Sequence, residues 1–308
     1  MNFGEFFLKD PATFPAETAG APWGCEGVSI ALAGLLFHFS GLSQRQAVFV
    51  RQRYMDFLAG EATAPTPPLT MEVYRANPEG FHPLPKRGWT YTLDMDYQPT
   101  YVRIAGLHLM ATIGWSPDGP NRLWSATEDE PDFALVFGNV FRILLAYALL
   151  RRGGVLLHSA GVSDGQGAWI GFGHSGAGKS TLSGLSLAAG KQVLSDDINV
   201  LRFEAGRWCA QRLPYAGDLG PRYGEKGWYP VAGLCRLLKG AEHQLEPLDR
   251  PRGVAALVAS APYVNQDPYR VLDLMATLDI LLAAVPCYSL TFRLDAEFWR
   301  LLQETHCD

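Results

Sequence analysis

The chain has 308 residues, of which 48% are hydrophobic and 19% charged, and a formal net charge of −5. That length holds one large domain or two ordinary ones, and the acidic balance gives no general attraction to nucleic acid or an anionic membrane, so neither is expected as a partner. Five scattered cysteines (Cys25, Cys209, Cys235, Cys287, Cys307) include no C-x-x-C pair, which argues against structural zinc and for a reduced, cytoplasmic protein.

In chain order, residues 1–130 hold most of the proline and show β-type patterning. Gly27 to Phe39 reads either as one long strand or as a broken helix. Ser43 followed by Gln46 forms a capping-box signature that opens a helix through Ala47, Val50, Tyr54 and Leu58. Gly60 to Thr70 is a loop. Trp89, Tyr91, Leu93, Met95 and Tyr97 alternate with smaller or polar residues, as in a half-buried strand. Gln98-Pro99-Thr100 turns the chain, and Tyr101 to Trp115 supplies further strand.

Phe133 to Leu150 approaches the length of a membrane span. Gly138, Asn139 and Arg142 interrupt it, and its apolar residues recur at helical spacing (Phe133, Phe137, Phe141, Leu144, Leu145, Ala148), so it reads as a core helix. From residue 131 onward strands alternate with helices. The strands are Gly154 to Val162, Ala168 to Phe172, Val193 to Ser195, Ile198 to Phe203, one near Gly233 to Leu238, and Tyr288 to Leu294. Helices follow at Lys179 to Ala189, Pro251 to Ser260 and Pro268 to Val285, with one more closing the chain. The expected fold class is α/β (α+β overall), with a nucleotide-binding domain at 131–308 preceded by a mostly β region at 1–130.

The segment Gly173-His174-Ser175-Gly176-Ala177-Gly178-Lys179-Ser180 satisfies the phosphate-loop pattern G-x-x-x-x-G-K-[ST] at every fixed position. It sits between a short strand and a helix, where glycines let backbone N–H groups converge on phosphate oxygens and the helix N-terminus adds positive charge. Lys179 is expected to reach the β- and γ-phosphates and Ser180 to ligate Mg²⁺, so a nucleotide or other polyphosphate is the implied ligand.

Asp196-Asp197 follows the strand after the loop helix. Phosphoryl transfer needs one acid to hold Mg²⁺ and one to accept a hydroxyl proton, although Asp-Asp is also common in a solvated turn. His158 lies between leucines and Ser-Ala-Gly on the preceding strand. It is either a satisfied core residue or a group that shuttles a proton or orients an aspartate. No N-K-x-D guanine-reading segment is present, which disfavours a GTPase.

The succession His158-Ser-Ala-Gly161-Val162, the loop with Ser175 inside it, and Asp196-Asp197 resembles the bacterial HPr kinase/phosphorylase family. Fifteen residues separate His158 from Gly173 and seventeen separate Lys179 from Asp196. The resemblance covers residues 145–205. It implies a P-loop catalytic domain akin to phosphoenolpyruvate carboxykinase and an ATP- and Mg²⁺-dependent kinase acting on a serine hydroxyl. Carried onto this chain, Gly173, Ser175, Gly176, Ala177, Gly178, Lys179, Ser180 and Thr181 hold the nucleotide, and Ser180 and Asp197 hold the metal. Asp196 is the base, and His158 contacts the reacting phosphate or Asp196.

Thr181 stands where that family usually has an acidic residue. The family's later glycine–arginine motif is not evident, and Arg212, Arg222 and Lys226 are loose candidates for clamping phosphates. These departures point to a divergent relative acting on a protein, a peptide or a small hydroxylated metabolite, with homo-oligomerisation left open. Two alternatives stand beside it: a carboxykinase-like small-molecule phosphotransferase and a nucleotide-gated binding module.

Overall fold

The computed structural model describes residues 20–60, 68–76, 93–106, 108–116, 119, 121–215 and 227–306. It is a mixed α/β structure in two compact units, Met1–Leu144 and Leu145–Asp308.

The first unit is built on a seven-stranded sheet. Its strands are β1 (Glu26–Leu32), β2 (Leu35–Leu42), β3 (Leu69–Arg75), β4 (Asp94–Tyr97), β5 (Tyr101–Gly106), β6 (Leu109–Gly114) and β7 (Arg122–Ser125). They lie in the order β1-β2-β3-β7-β6-β5-β4, with β2–β3 and β3–β7 parallel and the remaining pairs antiparallel. Gly27 to Phe39 is neither a single strand nor a helix. The chain reverses at Ala33-Gly34, both at positive φ (55° and 68°), and pairs Leu32 with Leu35. Positive φ at both central residues matches the right-handed twist of the flanking strands.

Helix α1 (Gln44–Arg53) begins with the expected capping box, in which the Ser43 side chain accepts from the Gln46 backbone and the Gln46 side chain accepts from Ser43 N–H. It stops at Arg53, ahead of Leu58, and a 3₁₀ turn follows at Met55–Phe57. The 60–70 loop ends sooner than expected, because β3 begins at Leu69; residues 61–67 lie outside the described residues. The alternating segment 89–97 forms a strand over Asp94–Tyr97, and residues 89–92 are also outside the described set.

The apolar run forms helix α2 (Asp132–Leu150). Phe137 lies 4.7 Å from Phe39 between ring centroids and Phe141 lies 5.0 Å from Phe37. Each buried ring of this kind removes enough apolar surface to contribute about 2–3 kcal/mol. Among the described residues α2 is the one helix long and apolar enough to cross a membrane, and 72% of its most apolar window is buried in the fold. The aromatic packing accounts for its hydrophobicity.

The second unit holds an eight-stranded mixed sheet. Its strands are β8 (Val155–Ser163), β9 (Ala168–Phe172), β10 (Gln192–Ser195), β11 (Ile198–Glu204), β12 (Arg207–Gln211), β13 (Trp228–Lys239), β14 (Gln244–Pro247) and β15 (Cys287–Phe292). Helices are α3 (Lys179–Ala188), α4 (Arg250–Ala259), α5 (Val271–Ala284) and α6 (Phe298–His306). Among the described residues of this unit, only β9–β13 and β13–β15 pair in parallel. β8 runs antiparallel to β9, β10 and β11, and the ladder β8–β11–β12–β13–β9 closes back on β8. Helix α3 covers one face of this sheet through a core that includes Trp169, Leu182, Leu237, Phe292 and Phe298. β12 and β14 were not foreseen from the sequence pattern.

Candidate functional site

Strand β9 ends at Phe172, and the next six residues make a tight loop into α3. Gly176 and Gly178 have φ of 77° and 110°, values that L side chains strain to adopt. A Cβ on Gly173 would lie 2.9 Å from the Ala177 Cβ, and one on Gly178 would lie 3.1 Å from Phe292 Cζ. The glycines are therefore required by conformation and by close packing together. Ala177 is buried and anchors the loop in the core, while His174, Ser175 and Gly176 are exposed. The His174 ring Nδ1 lies 2.7 Å from the Ser175 carbonyl.

Helix α3 starts from Gly178 with no side-chain cap and no acidic residue in its first turn. The N-cap glycine offers no side-chain acceptor, and the first turn carries no carboxylate to compete for an anion at the positive end of the helix. Lys179 is buried, and its Nζ donates to the carbonyls of Gly173 (3.1 Å) and His174 (3.3 Å). Burial draws its ammonium below the ordinary lysine value, and the negative charge of Asp197 opposes that shift. Ser180 and Thr181 follow in the first turn, half-buried.

The aspartate pair occupies the turn between β10 and β11, and its two members differ in environment. Asp196 is 6% exposed. The Asp197 side chain is more open and lies 3.7 Å from His158 Nε2. His158 is the one outward-facing residue of the otherwise buried strand β8, so its side chain is not a satisfied core group. Asp197 thus stands beside His158 and near enough to Lys179 for its charge to act on the ammonium. Three separate elements supply them: the start of α3, the β10–β11 turn and β8.

Beneath this cluster lies a residue the sequence pattern did not flag. Asn199, fully buried, donates from Nδ2 to Ser159 O (2.7 Å), Ser159 Oγ (3.0 Å) and Ser195 O (3.4 Å). Ser195 Oγ in turn accepts from the N–H groups of Asp197 and Ile198 and donates to Tyr215 O. Ser159 N–H donates to Asp197 O. These bonds tie the segment carrying His158 to the turn carrying Asp196 and Asp197. The only signal in the sequence was the run Ser195-Asp196-Asp197-Ile198-Asn199, which places a polar residue on a strand that is buried on both sides.

Of the loose basic candidates, Arg212 is buried, and Arg222 and Lys226 lie outside the described residues. A second polar cluster joins His243, Asp295 and Glu297, whose ligand atoms lie within 4.8 Å of one another. Its carboxylates are already held by Arg293. The Asp295 carboxyl sits at about 2, held down first by the Glu297 N–H and then by His243 and Arg293. The cluster serves as an ion-pair clasp at the entry to α6.

No protein-family model matches the chain, and no characterised protein matches it in sequence.

Proposed function

We propose that the second unit is a P-loop, HPr-kinase-like phosphotransferase that uses ATP and Mg²⁺ to phosphorylate a hydroxyl acceptor, a serine of a protein or peptide. The observation carrying this reading is the convergence of a complete glycine-rich loop and its uncapped helix with Lys179, Asp197 and His158. An anion alone would need only the loop. A carboxylate and an imidazole beside the loop lysine add proton and metal chemistry to phosphate binding.

The donor set fits the ligands. The leading N–H groups of α3 and the Lys179 ammonium suit phosphate oxygens. The Ser180 hydroxyl and the Asp197 carboxylate are hard oxygen donors of the kind Mg²⁺ takes. When bound, Mg²⁺ neutralises negative charge on the phosphates. On this reading Lys179 leaves its two carbonyl partners to engage phosphate. Asp197 holds the metal, with His158 keeping its carboxylate in place. Asp196, shielded from water in the same turn, takes the proton of the acceptor hydroxyl.

The test incubates purified protein with γ-labelled ATP, Mg²⁺ and a lysate of the source cells, beside Lys179→Ala, Asp196→Asn and Asp197→Asn. A labelled protein or peptide that all three variants lose supports the kinase. A labelled small molecule moves the acceptor to the metabolite class. If ATP binds but no label moves in any lysate fraction, the nucleotide-gated module replaces the kinase. The roles of the aspartates separate on Mg²⁺: Asp197→Asn raises the Mg²⁺ requirement, while Asp196→Asn leaves MgATP binding intact and stops transfer.

A further inference from the structure

Strands β9, β13 and β15 run parallel, so their C-terminal ends lie along one edge, the edge from which the loop springs. Ligands of α/β sheets bind outside such ends. β13 reaches this edge at Lys239, paired in register with Phe292 of β15. Phe292 is the residue whose ring lies against Gly178 of the loop. On the other side, the position of a Cβ on Gly173 is 3.7 Å from Leu237 O. The end of β13 thus lies beside Gly173 at the start of the loop, and the end of its neighbour β15 lies beside Gly178 at its close.

The face on which Lys239 stands follows from strand alternation. A Cβ on Gly171 would meet Leu182 of α3 and both methyls of Leu237, so Leu237 faces α3, as does Cys235 in the same core cluster. Lys239, two residues on, shares that face, which is the face of the loop and its helix. Two residues of strand advance the backbone about 6–7 Å, roughly the reach of a lysine side chain. Arg236 and Leu238 alternate onto the opposite face.

The charge of Lys239 is also uncommitted. Arg293, directly after the end of β15, is engaged by Asp295 and Glu297. The Lys239 side chain is exposed and makes no hydrogen bond or ion pair among the described residues.

We propose that Lys239 is a second phosphate-binding cation, taking the polyphosphate chain of a nucleoside triphosphate from the β13 side while Lys179 takes it from beneath. This rests on the phosphate-loop reading above. It answers what the sequence left open, namely which basic residue besides the loop lysine clamps the phosphates.

The test is calorimetric titration of the full chain with MgATP, which needs no acceptor. Lys239→Ala is expected to weaken binding about tenfold, as for loss of one charge-assisted phosphate contact, with Lys239→Glu weaker still and Lys239→Arg close to wild type. Arg236→Ala removes the same charge from the same strand on the opposite face and is expected to stay within about twofold of wild type. The proposal falls if Lys239→Ala binds like wild type. It falls equally if Arg236→Ala loses as much affinity as Lys239→Ala, because a general field rather than a contact would then be at work. A wild-type protein that binds no MgATP overturns the loop reading itself, a result distinct from both.

Discussion

Asn199 occupies the space that any side chain at residue 161 would need: a Cβ built on Gly161 falls 2.2 Å from the Asn199 amide oxygen. The glycine of the His158-Ser-Ala-Gly161 run is thus explained by a neighbour on another strand. Gly161→Ala must push Asn199 away from Ser159 and Ser195, at an expected loss of about 2–4 kcal/mol from overpacking plus broken buried hydrogen bonds. Asn199→Ala removes the bonds directly and is expected to cost about 2–3 kcal/mol. Because both changes damage the same contact, the double variant should be less destabilised than the sum of the singles. Urea denaturation of the four proteins measures this, and additive losses would refute the account.

The loop glycines give a graded series. Gly176 has open space where a Cβ would stand, so Gly176→Ala pays only for its positive φ. Gly178 has both a φ of 110° and Phe292 at 3.1 Å. Gly178→Ala is expected to destabilise by about 1–3 kcal/mol and to weaken MgATP binding more than Gly176→Ala. Pairing it with Phe292→Leu relieves the contact and leaves the backbone strain. Partial recovery of affinity in that double variant, read by calorimetry, is the expected result.

Thiol chemistry distinguishes the cysteines. Cys25 is exposed, whereas Cys209, Cys235 and Cys287 are buried. Burial pushes all three of these thiols up, Cys287 to about 12, and Cys235 is raised further by Cys287 beside it. Only the thiolate attacks an alkylating reagent, so at about pH 8 the native protein should be labelled at Cys25 and spared at these three. Peptide mapping after iodoacetamide treatment checks this. Rapid labelling of Cys235 in the native state would contradict the packing of β13 against β15.

How much of this was legible in the sequence depended on whether a feature is local. The strand, glycine-rich loop and helix around residues 168–188, the capping box at Ser43 and the core helix over Phe133 to Leu150 announce themselves through spacing alone, and each lies where expected. The hairpins did not. Both the β1–β2 turn (Ala33-Gly34) and the β11–β12 turn (Ala205-Gly206) hold an alanine at positive φ before a glycine. The Asn-Gly signal that marks such turns is absent, so the first hairpin reads as one continuous apolar run and the second strand of the other escapes notice. Asn199 was illegible for a different reason. Its partners, Ser159 and Ser195, come from two other strands, and nothing in one sequence brings those strands together. The face of Lys239 likewise follows from register with β9 and β15.

The pH dependence of nucleotide binding tests the state of Lys179. Burial lowers its pKa and Asp197 partly restores it, so in the free protein the ammonium gives up its proton at a lower pH than an exposed lysine does. Phosphate binding needs the charged form. MgATP affinity should therefore hold steady near neutrality and fall as pH rises through that lowered value, by about tenfold per unit once the neutral amine dominates. Asp197→Asn removes the charge that supports protonation and is expected to move the onset of the fall to lower pH. Lys179→Arg, whose guanidinium stays charged throughout, should bind more weakly at neutrality, where its shape no longer fits the loop, but with little change up to about pH 10. Calorimetric titrations of the three proteins from about pH 7 to pH 10 supply the comparison. A wild-type profile as flat as that of Lys179→Arg would mean that burial does not bring the loss of the Lys179 proton into the range titrated.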